Sequence, residues 1–337
     1  MAAARELIST HLSSLGYTVR TQKFSFAPAS LRAFPVFGSG LTGLALILLP
    51  FLGSPQLPGW WAPAIWITGL LALSIIAAGI GLGWVSLGEP VREDANLIAT
   101  RGETRPRRWI VAHLDSKAQG HSMAGRLIAV WISVLTIAGL TVLSLMRLTG
   151  ALSLGWLVLG AAVALASGIL AGRGRLQGKS VGARDNGTGI VAALSAAESS
   201  TDPRVGILIT SAEEFGLVGA RVFAQLTPNL QDTEFVNLDT LDQEGLLYIV
   251  SHDTAGARFA RDLEPALAQV QLPIQRRRLP LGIFVDSAPL ARTGARSVTI
   301  GRLTWNTLRC IHTSGDTVEG LSFETAERVG KAVIGIN

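Results

Sequence analysis

The chain has 337 residues, of which 48% are apolar and only 16% charged, against about a quarter charged in soluble globular domains. Together with a mean hydropathy of +0.40, this excludes an ordinary soluble enzyme. The net charge of +5 and a pI near 10.0 would suit nucleic acid, but the basic residues flank uncharged runs, which points to a membrane and not to DNA or RNA.

In chain order, residues 2–15 read as an amphipathic helix, with Leu7, His11, Leu12 and Leu15 on one side and Gly16 as its stop, and not as a signal peptide. Residues 17–26 alternate as a strand. No residue is charged over 33–88, 127–146 or 148–172. A helix needs roughly 20 apolar residues to cross a bilayer, so these runs hold four spans, at about 33–53, 61–85, 127–146 and 150–172. They pair into two hairpins, turning at 53–59 and at 147–150. Trp60, Trp61 and Trp66 suit an interfacial aromatic belt.

Between the hairpins, residues 96–100 and 109–113 read as strands. Beyond Gly178, strands at 205–210, 235–239, 246–251 and 297–300 alternate with helices at 190–197, 216–226, 255–270 and 322–336. That alternation argues an α/β fold with a mixed, largely parallel central sheet flanked by helices, alongside four transmembrane helices. The expected organisation is one globular domain over 1–30, 89–122 and 174–337, interrupted by transmembrane hairpins at 31–88 and 123–173. There is no internal repeat and no low-complexity tract. The single cysteine, Cys310, cannot form an internal disulfide and suits a reducing compartment.

Sheets of this kind place ligands at the carboxyl ends of their strands, and the candidate residues fall there. Strand 109–112 runs into His113-Leu114-Asp115-Ser116. Alternation points His113 and Asp115 the same way. A metal-bound imidazole commonly gives its other N–H to a carboxylate, a role for which Asp115 is well spaced. Gly182-Ala183-Arg184-Asp185-Asn186-Gly187-Thr188-Gly189 sets one carboxylate in a small-residue turn before a helix, where Asp185 taken alone reads more readily as a helix N-cap than as a ligand. Strand 205–210 ends in Ser211-Ala212-Glu213-Glu214. In an extended turn these two carboxylates diverge, one toward a metal and one toward a water proton. Strand 235–238 ends in Asp239, and His312 supplies a second imidazole. Two imidazoles, three carboxylates and a spare glutamate match two zinc ions that share one carboxylate.

These five segments, in this order, resemble the di-zinc exopeptidase family of bacterial leucyl aminopeptidases, glutamate carboxypeptidase II and glutaminyl cyclases. The shared pattern is His-x-Asp-Ser, Gly-Ala-x-Asp-Asn, Glu-Glu-x-Gly, Asn-x-Asp and His-Thr-x-x-Asp-Thr. The resemblance covers everything outside the hairpins. It implies the zinc exopeptidase fold and two zinc ions per chain. Asp185 would bridge the metals, His113 and Asp239 would complete one site, and Glu214 and His312 the other. Glu213 would be the general base and Asp115 would orient His113. It also implies a cis peptide bond after Asp185. The activity implied is hydrolysis of N-terminal peptide bonds in a peptide substrate. Two departures stand out: the family's frequent Asp-His segment reads Asp286-Ser287 here, and the hairpins lie inside the peptidase domain.

Two other readings share the fold: a glutaminyl cyclase-like zinc acyltransferase, which would use one zinc, and a non-catalytic receptor or scaffold, which would have lost ligands. A transporter fits poorly with spans that carry no charge besides Arg147 at a boundary. Four spans put both chain ends and the middle loop on one side. That side carries Arg32, Arg92, Arg126, Arg173, Arg175 and Lys179 near span ends, and the other only Arg147. The positive-inside rule then expects a plasma-membrane protein with a cytoplasmic peptidase domain.

Overall fold

The structure, a computed structural model, describes residues 1–81, 85 and 91–335. The expected span end at 82–84, the domain boundary at 88/89 and the helix end at 336 lie outside the described residues. The chain forms two compact units, Met1–Phe26 with Val91–Ala118 and Gly178–Asn337, and Ala27–Pro90 with Gln119–Gln177.

In chain order the elements are α1 (Ala2–Ser14), β1 (Thr18–Phe26), α2 (Ala33–Gly53), α3 (Trp61–Gly81), β2 (Arg92–Thr100), β3 (Arg108–His113), α4 (Met123–Met146), α5 (Leu154–Gly172), α6 (Thr188–Ser199), β4 (Val205–Thr210) and α7 (Val218–Leu226), followed by β5 (Glu234–Leu241), β6 (Leu246–Ser251), α8 (Thr254–Ala268), β7 (Ile274–Arg278), α9 (Ser287–Ala291), β8 (Arg296–Leu303), α10 (Trp305–Cys310) and α11 (Glu324–Ala332).

The first unit is an eight-stranded mixed sheet in the order β1-β2-β4-β3-β5-β8-β6-β7. At its centre β3 pairs parallel with both β4 and β5, and β5 pairs parallel with β8. Every residue of β4 is buried, as expected of a central strand covered on both faces. Ala192, Ala193, Ala196 and Ala197 of α6 are fully buried; their small side chains let the helix lie close on the sheet. Strand β7 has no counterpart among the sequence expectations. Its sequence, Ile-Gln-Arg-Arg-Arg, has no apolar alternation and is almost wholly exposed. It forms because it sits at the sheet edge, where charge blocks further pairing, and the Arg277 guanidinium rests 4.4 Å from the Tyr248 ring. The short helices α9 and α10 are likewise additions, being too brief for a periodic signal.

The second unit holds four helices of 21, 21, 24 and 19 residues, each long and apolar enough to cross a membrane. Small residues bring α2 and α5 together: a Cβ built on Gly38 would lie 2.2 Å from Ala171 Cβ, the close approach that glycine permits between apolar helices. Buried hydroxyls are answered within the unit. Ser133 donates to the carbonyl of Ala129 at 2.9 Å and lies 2.8 Å from Ser167 Oγ.

One sequence expectation changes here. Trp66 is buried inside the unit, its indole N–H donating to Thr141 Oγ1 at 2.8 Å, so it packs helices instead of joining a belt. Trp60 and Trp61 remain exposed and stacked at 4.4 Å. Arg147 is also buried, and its guanidinium donates to the carbonyls of Phe51, Ser54 and Leu57 at 2.9, 2.7 and 2.6 Å. It caps the end of α2 and the turn that follows.

Candidate metal centre

Strands β4, β3 and β5 are adjacent, and parallel pairing with β3 puts their carboxyl ends along one edge of the sheet. His113 ends β3, Glu213 and Glu214 follow β4, and Asp239 falls in β5 where the register shifts between Leu238 and Leu241. That bulge redirects the strand at the site, a common use of the irregularity. Left-handed φ angles recur at the same edge, at Ala212 (54°), Thr240 (55°) and His312 (65°). Each costs of order 1–3 kcal/mol for a non-glycine residue, and each is a site residue or the neighbour of one.

Asp185 occupies an extended turn ahead of α6, with φ −119° and ψ 86°, so it is not acting as a regular helix cap. The Asp185–Asn186 peptide bond is cis, as the resemblance implied. Gly182 enters the turn at φ 71°, where a Cβ would sit 2.6 Å from Ser116 Cβ, so glycine is required there. The Asp316 carboxylate accepts from the backbone N–H groups of Arg184 at 2.8 Å and Asp185 at 3.3 Å. The Asn186 side chain donates to the Leu238 carbonyl at 2.9 Å and accepts from the Thr240 N–H at 3.2 Å. Asn186 thereby ties the Asp185 turn to β5. The family motifs include Asn186 and Asp316, but sequence reasoning assigned neither a role.

The five proposed ligands converge in two buried or nearly buried clusters, His113–Asp185–Asp239 and Asp185–Glu214–His312, each able to hold a cation. His113 Nε2 lies 3.2 Å from Asp185 Oδ1 and 3.8 Å from Asp239 Oδ1. His312 Nε2 lies 3.2 Å from Asp185 Oδ2 and 3.1 Å from Glu214 Oε1. Ligand atoms about 2.0–2.2 Å from a tetrahedral zinc stand roughly 3.3–3.6 Å from one another, so the observed separations suit one ion per cluster. The two oxygens of Asp185 face different clusters.

Asp115 acts differently from the expectation. Its carboxylate oxygen is 3.7 Å from His113 Nδ1, too far for a hydrogen bond, and the ring nitrogen lies 3.0 Å from the Asp115 backbone carbonyl instead. The carboxylate accepts from the N–H groups of Glu213 and Glu214, both at 3.0 Å. Asp115 therefore orients His113 through its main chain and fixes the glutamate turn through its side chain. Lys117 is a further participant that no motif signals. It is buried, and its ammonium is 2.6 Å from Glu214 Oε2.

Burial raises the Glu213 carboxyl well above the usual range; the positive charge of His113 opposes this, and Glu214, Asp286 and Asp239 add to it. Glu214 goes the other way, to about 2: burial would raise it, but His312 and Lys117 overcome that. Burial pushes Asp115 up to about 6 and Asp286 up to about 7. Burial alone would lower both imidazoles, yet the surrounding carboxylates raise both, His113 strongly. The site thus concentrates negative charge that attracts protons, and cation binding releases such protons.

The fold is similar to those of solved aminopeptidases and a glutaminyl cyclase. A zinc aminopeptidase from Bacillus subtilis aligns with 99% of this chain and 87% of its own, at 12% identity and a TM-score of 0.55. An aminopeptidase from Aneurinibacillus sp. strain AM-1 covers 99% and 88%, at 15% identity and a TM-score of 0.55. A glutaminyl cyclase from Porphyromonas gingivalis covers 99% and 88%, at 12% identity and a TM-score of 0.56. At such identities the likeness shows the fold alone. Among curated proteins no sequence matches. Residues 161–336, beginning within α5, match the profile of peptidase family M28, and the chain belongs to that family.

Proposed function

We propose that the chain is a membrane-anchored zinc aminopeptidase with two zinc ions, in which Glu213 is the general base. The observation that carries this reading is the single carboxylate of Asp185 turned toward two imidazole–carboxylate clusters at once. The donor set of nitrogen and carboxylate oxygen suits zinc. Glu214 Oε1 is buried and faces only His312 Nε2, at 3.1 Å, as suits two ligand atoms that share a cation. Bound zinc would polarise the scissile carbonyl and acidify a water. Asp185 would hold the two clusters in register, while His113 with Asp239 and His312 with Glu214 complete them. Glu213, its basicity raised by burial, would take the water proton and deliver it to the departing amine. Asp115 would keep Glu213 and Glu214 diverging by holding both N–H groups.

The four apolar helices support membrane insertion. The six basic residues near span ends on the domain side, against Arg147 alone on the other, support a cytoplasmic peptidase domain. Protease protection of the C-terminus in spheroplasts tests this, and digestion from outside reverses it. For the chemistry, detergent-purified protein is assayed for bound metal and screened with aminoacyl fluorophores and N-terminal glutaminyl peptides. Release of the first residue by protein holding two zinc ions per chain is the expected result. Cyclisation of N-terminal glutamine with one zinc would install the cyclase reading. Full metal occupancy without turnover would install the scaffold.

A further inference from the structure

The helical unit carries an open cavity of about 610 Å³, a groove at its surface, of a volume that takes small ligands. One wall is α2, through Ser39 and Thr42. The other is the end of α5, through Leu165 and Ile169, continuing to Arg173 and Arg175. Residues 165, 169 and 173 follow at intervals of four, so they lie along one helix face. That face runs from two exposed apolar side chains to a guanidinium. Neither Arg173 nor Arg175 has a side-chain hydrogen-bond or ion-pair partner among the described residues. The described residues of this unit include no aspartate or glutamate at all. The contrast with Arg147 is direct: at the other end of the hairpins the unit supplies three carbonyls to one guanidinium, and here it supplies no partner to two.

We infer that this cavity binds the phosphate of an anionic phospholipid between Arg173 and Arg175, with an acyl chain along Leu165 and Ile169. The inference rests on the membrane reading above. Guanidinium is the side chain best matched to phosphate oxygens, which it engages in pairs. Thr42 commits its hydroxyl proton to the Ala164 carbonyl at 2.7 Å, which leaves recognition of the anion to the arginines, Ser39 and Gln177. A soluble phosphate would satisfy the charges but leave Leu165 and Ile169 uncovered, whereas a lipid covers both. Arg173 also faces the negative end of the α5 dipole, which accounts for one cation at that helix end and not for Arg175 two residues beyond it.

The test uses the full-length protein in detergent micelles and in nanodiscs. Native mass spectrometry reads retention of added phosphatidylglycerol against phosphatidylcholine, with inorganic phosphate as a competitor. Each surface arginine contributes about 1 kcal/mol toward anionic lipid, so the wild type should prefer phosphatidylglycerol by roughly tenfold or more. Arg173→Gln/Arg175→Gln should lose that preference. Arg20→Gln/Lys179→Gln removes the same charge from exposed positions outside the cavity and should keep it. Equal retention of the two lipids, or a preference that survives Arg173→Gln/Arg175→Gln, overturns the site. Displacement by millimolar inorganic phosphate overturns the lipid as occupant in favour of a soluble anion. Carbonate extraction of membranes reports insertion separately, so failure of the membrane reading is distinguishable from failure of the lipid site.

Discussion

The two units put their buried polar groups to different uses. In the helical unit, buried hydroxyls and the Arg147 guanidinium find their partners in nearby carbonyls and hydroxyls. These groups serve structure. At the sheet edge of the other unit, carboxylates crowd imidazoles: Glu214 Oε1 faces only His312 Nε2, at 3.1 Å, and His312 Nδ1 and Asp286 Oδ1 are buried with no hydrogen-bond partner. An unanswered buried polar atom costs about 1–3 kcal/mol, so a cluster of them marks a place that a ligand completes. The α/β unit carries its chemistry where its polar groups are left open, and the helical unit leaves cations open at Arg173 and Arg175.

The sharpest way to break this contrast is at the two adjacent glutamates. Glu213→Gln keeps size but cannot accept a proton, and turnover should fall by roughly 10²–10⁴ while zinc content stays at the wild-type value. Glu214→Gln should instead lose zinc, since it removes charge from a ligand. Metal analysis beside steady-state rates separates the two. If Glu213→Gln kept most of its activity, the division of labour in that turn would be wrong.

Chelation tests the contrast at the level of whole units. A cation that binds only the folded state stabilises it by about 4 kcal/mol at roughly 1,000 times its Kd. Removing zinc with a chelator should lower the melting transition of the α/β unit and leave that of the helical unit in place. Hydrogen exchange in detergent reads both units in one sample. Loss of protection in the α4 and α5 amides would show that the units are energetically one.

The converse perturbation is Arg147→Met. It fills similar volume but leaves three carbonyls without their donor. Hydrogen bonds to charged groups contribute about 1.5–3 kcal/mol each, and partial rehydration of the turn offsets some of that. A net loss of about 2–3 kcal/mol is expected in detergent, with zinc content and turnover unchanged. A variant as stable as the parent would mean that water already answers those carbonyls.

Much of this is legible in the sequence, for physical reasons that also explain what is not. Long uncharged runs encode bilayer-length helices directly, and the nearly all-apolar β4 encodes a central strand. The candidate metal-site residues are legible because most lie at or just past a strand end or in a turn, and parallel strands bring their ends together. Strand β7 is hidden because an edge strand needs no apolar face. Trp66 departs from expectation, and the burial of Arg147 is not foreseen, because composition places aromatic and basic residues near a boundary without saying whether a neighbouring helix covers them. Asp115 departs because strand alternation fixes a side chain's face only while the strand lasts, and β3 ends at His113. Lys117, Asn186 and Asp316 act through partners about 50–130 residues away, which no local pattern reports.

Asp286 offers the finest test, because it is an unanswered group that belongs to neither cation cluster. It is fully buried. One carboxyl oxygen accepts from the Thr210 hydroxyl, and the other has no partner. Burial pushes its pKa up to about 7, whereas an unfolded chain sheds this proton at about pH 3.9. The folded state therefore binds a proton that the unfolded state releases between about pH 4 and pH 7, and stability falls as pH rises through that window. An amide at this position carries no such proton. In zinc-free protein, Asp286→Asn should gain on the wild type as pH rises from about 4.5 to about 7.5, by roughly 1–2 kcal/mol or a few degrees of melting temperature. Scanning calorimetry of both proteins at the two pH values supplies the comparison. A difference between the proteins that does not change with pH would mean that Asp286 is already ionised in the fold. A charged partner would then be answering it, and the sheet edge would be less open than its geometry indicates.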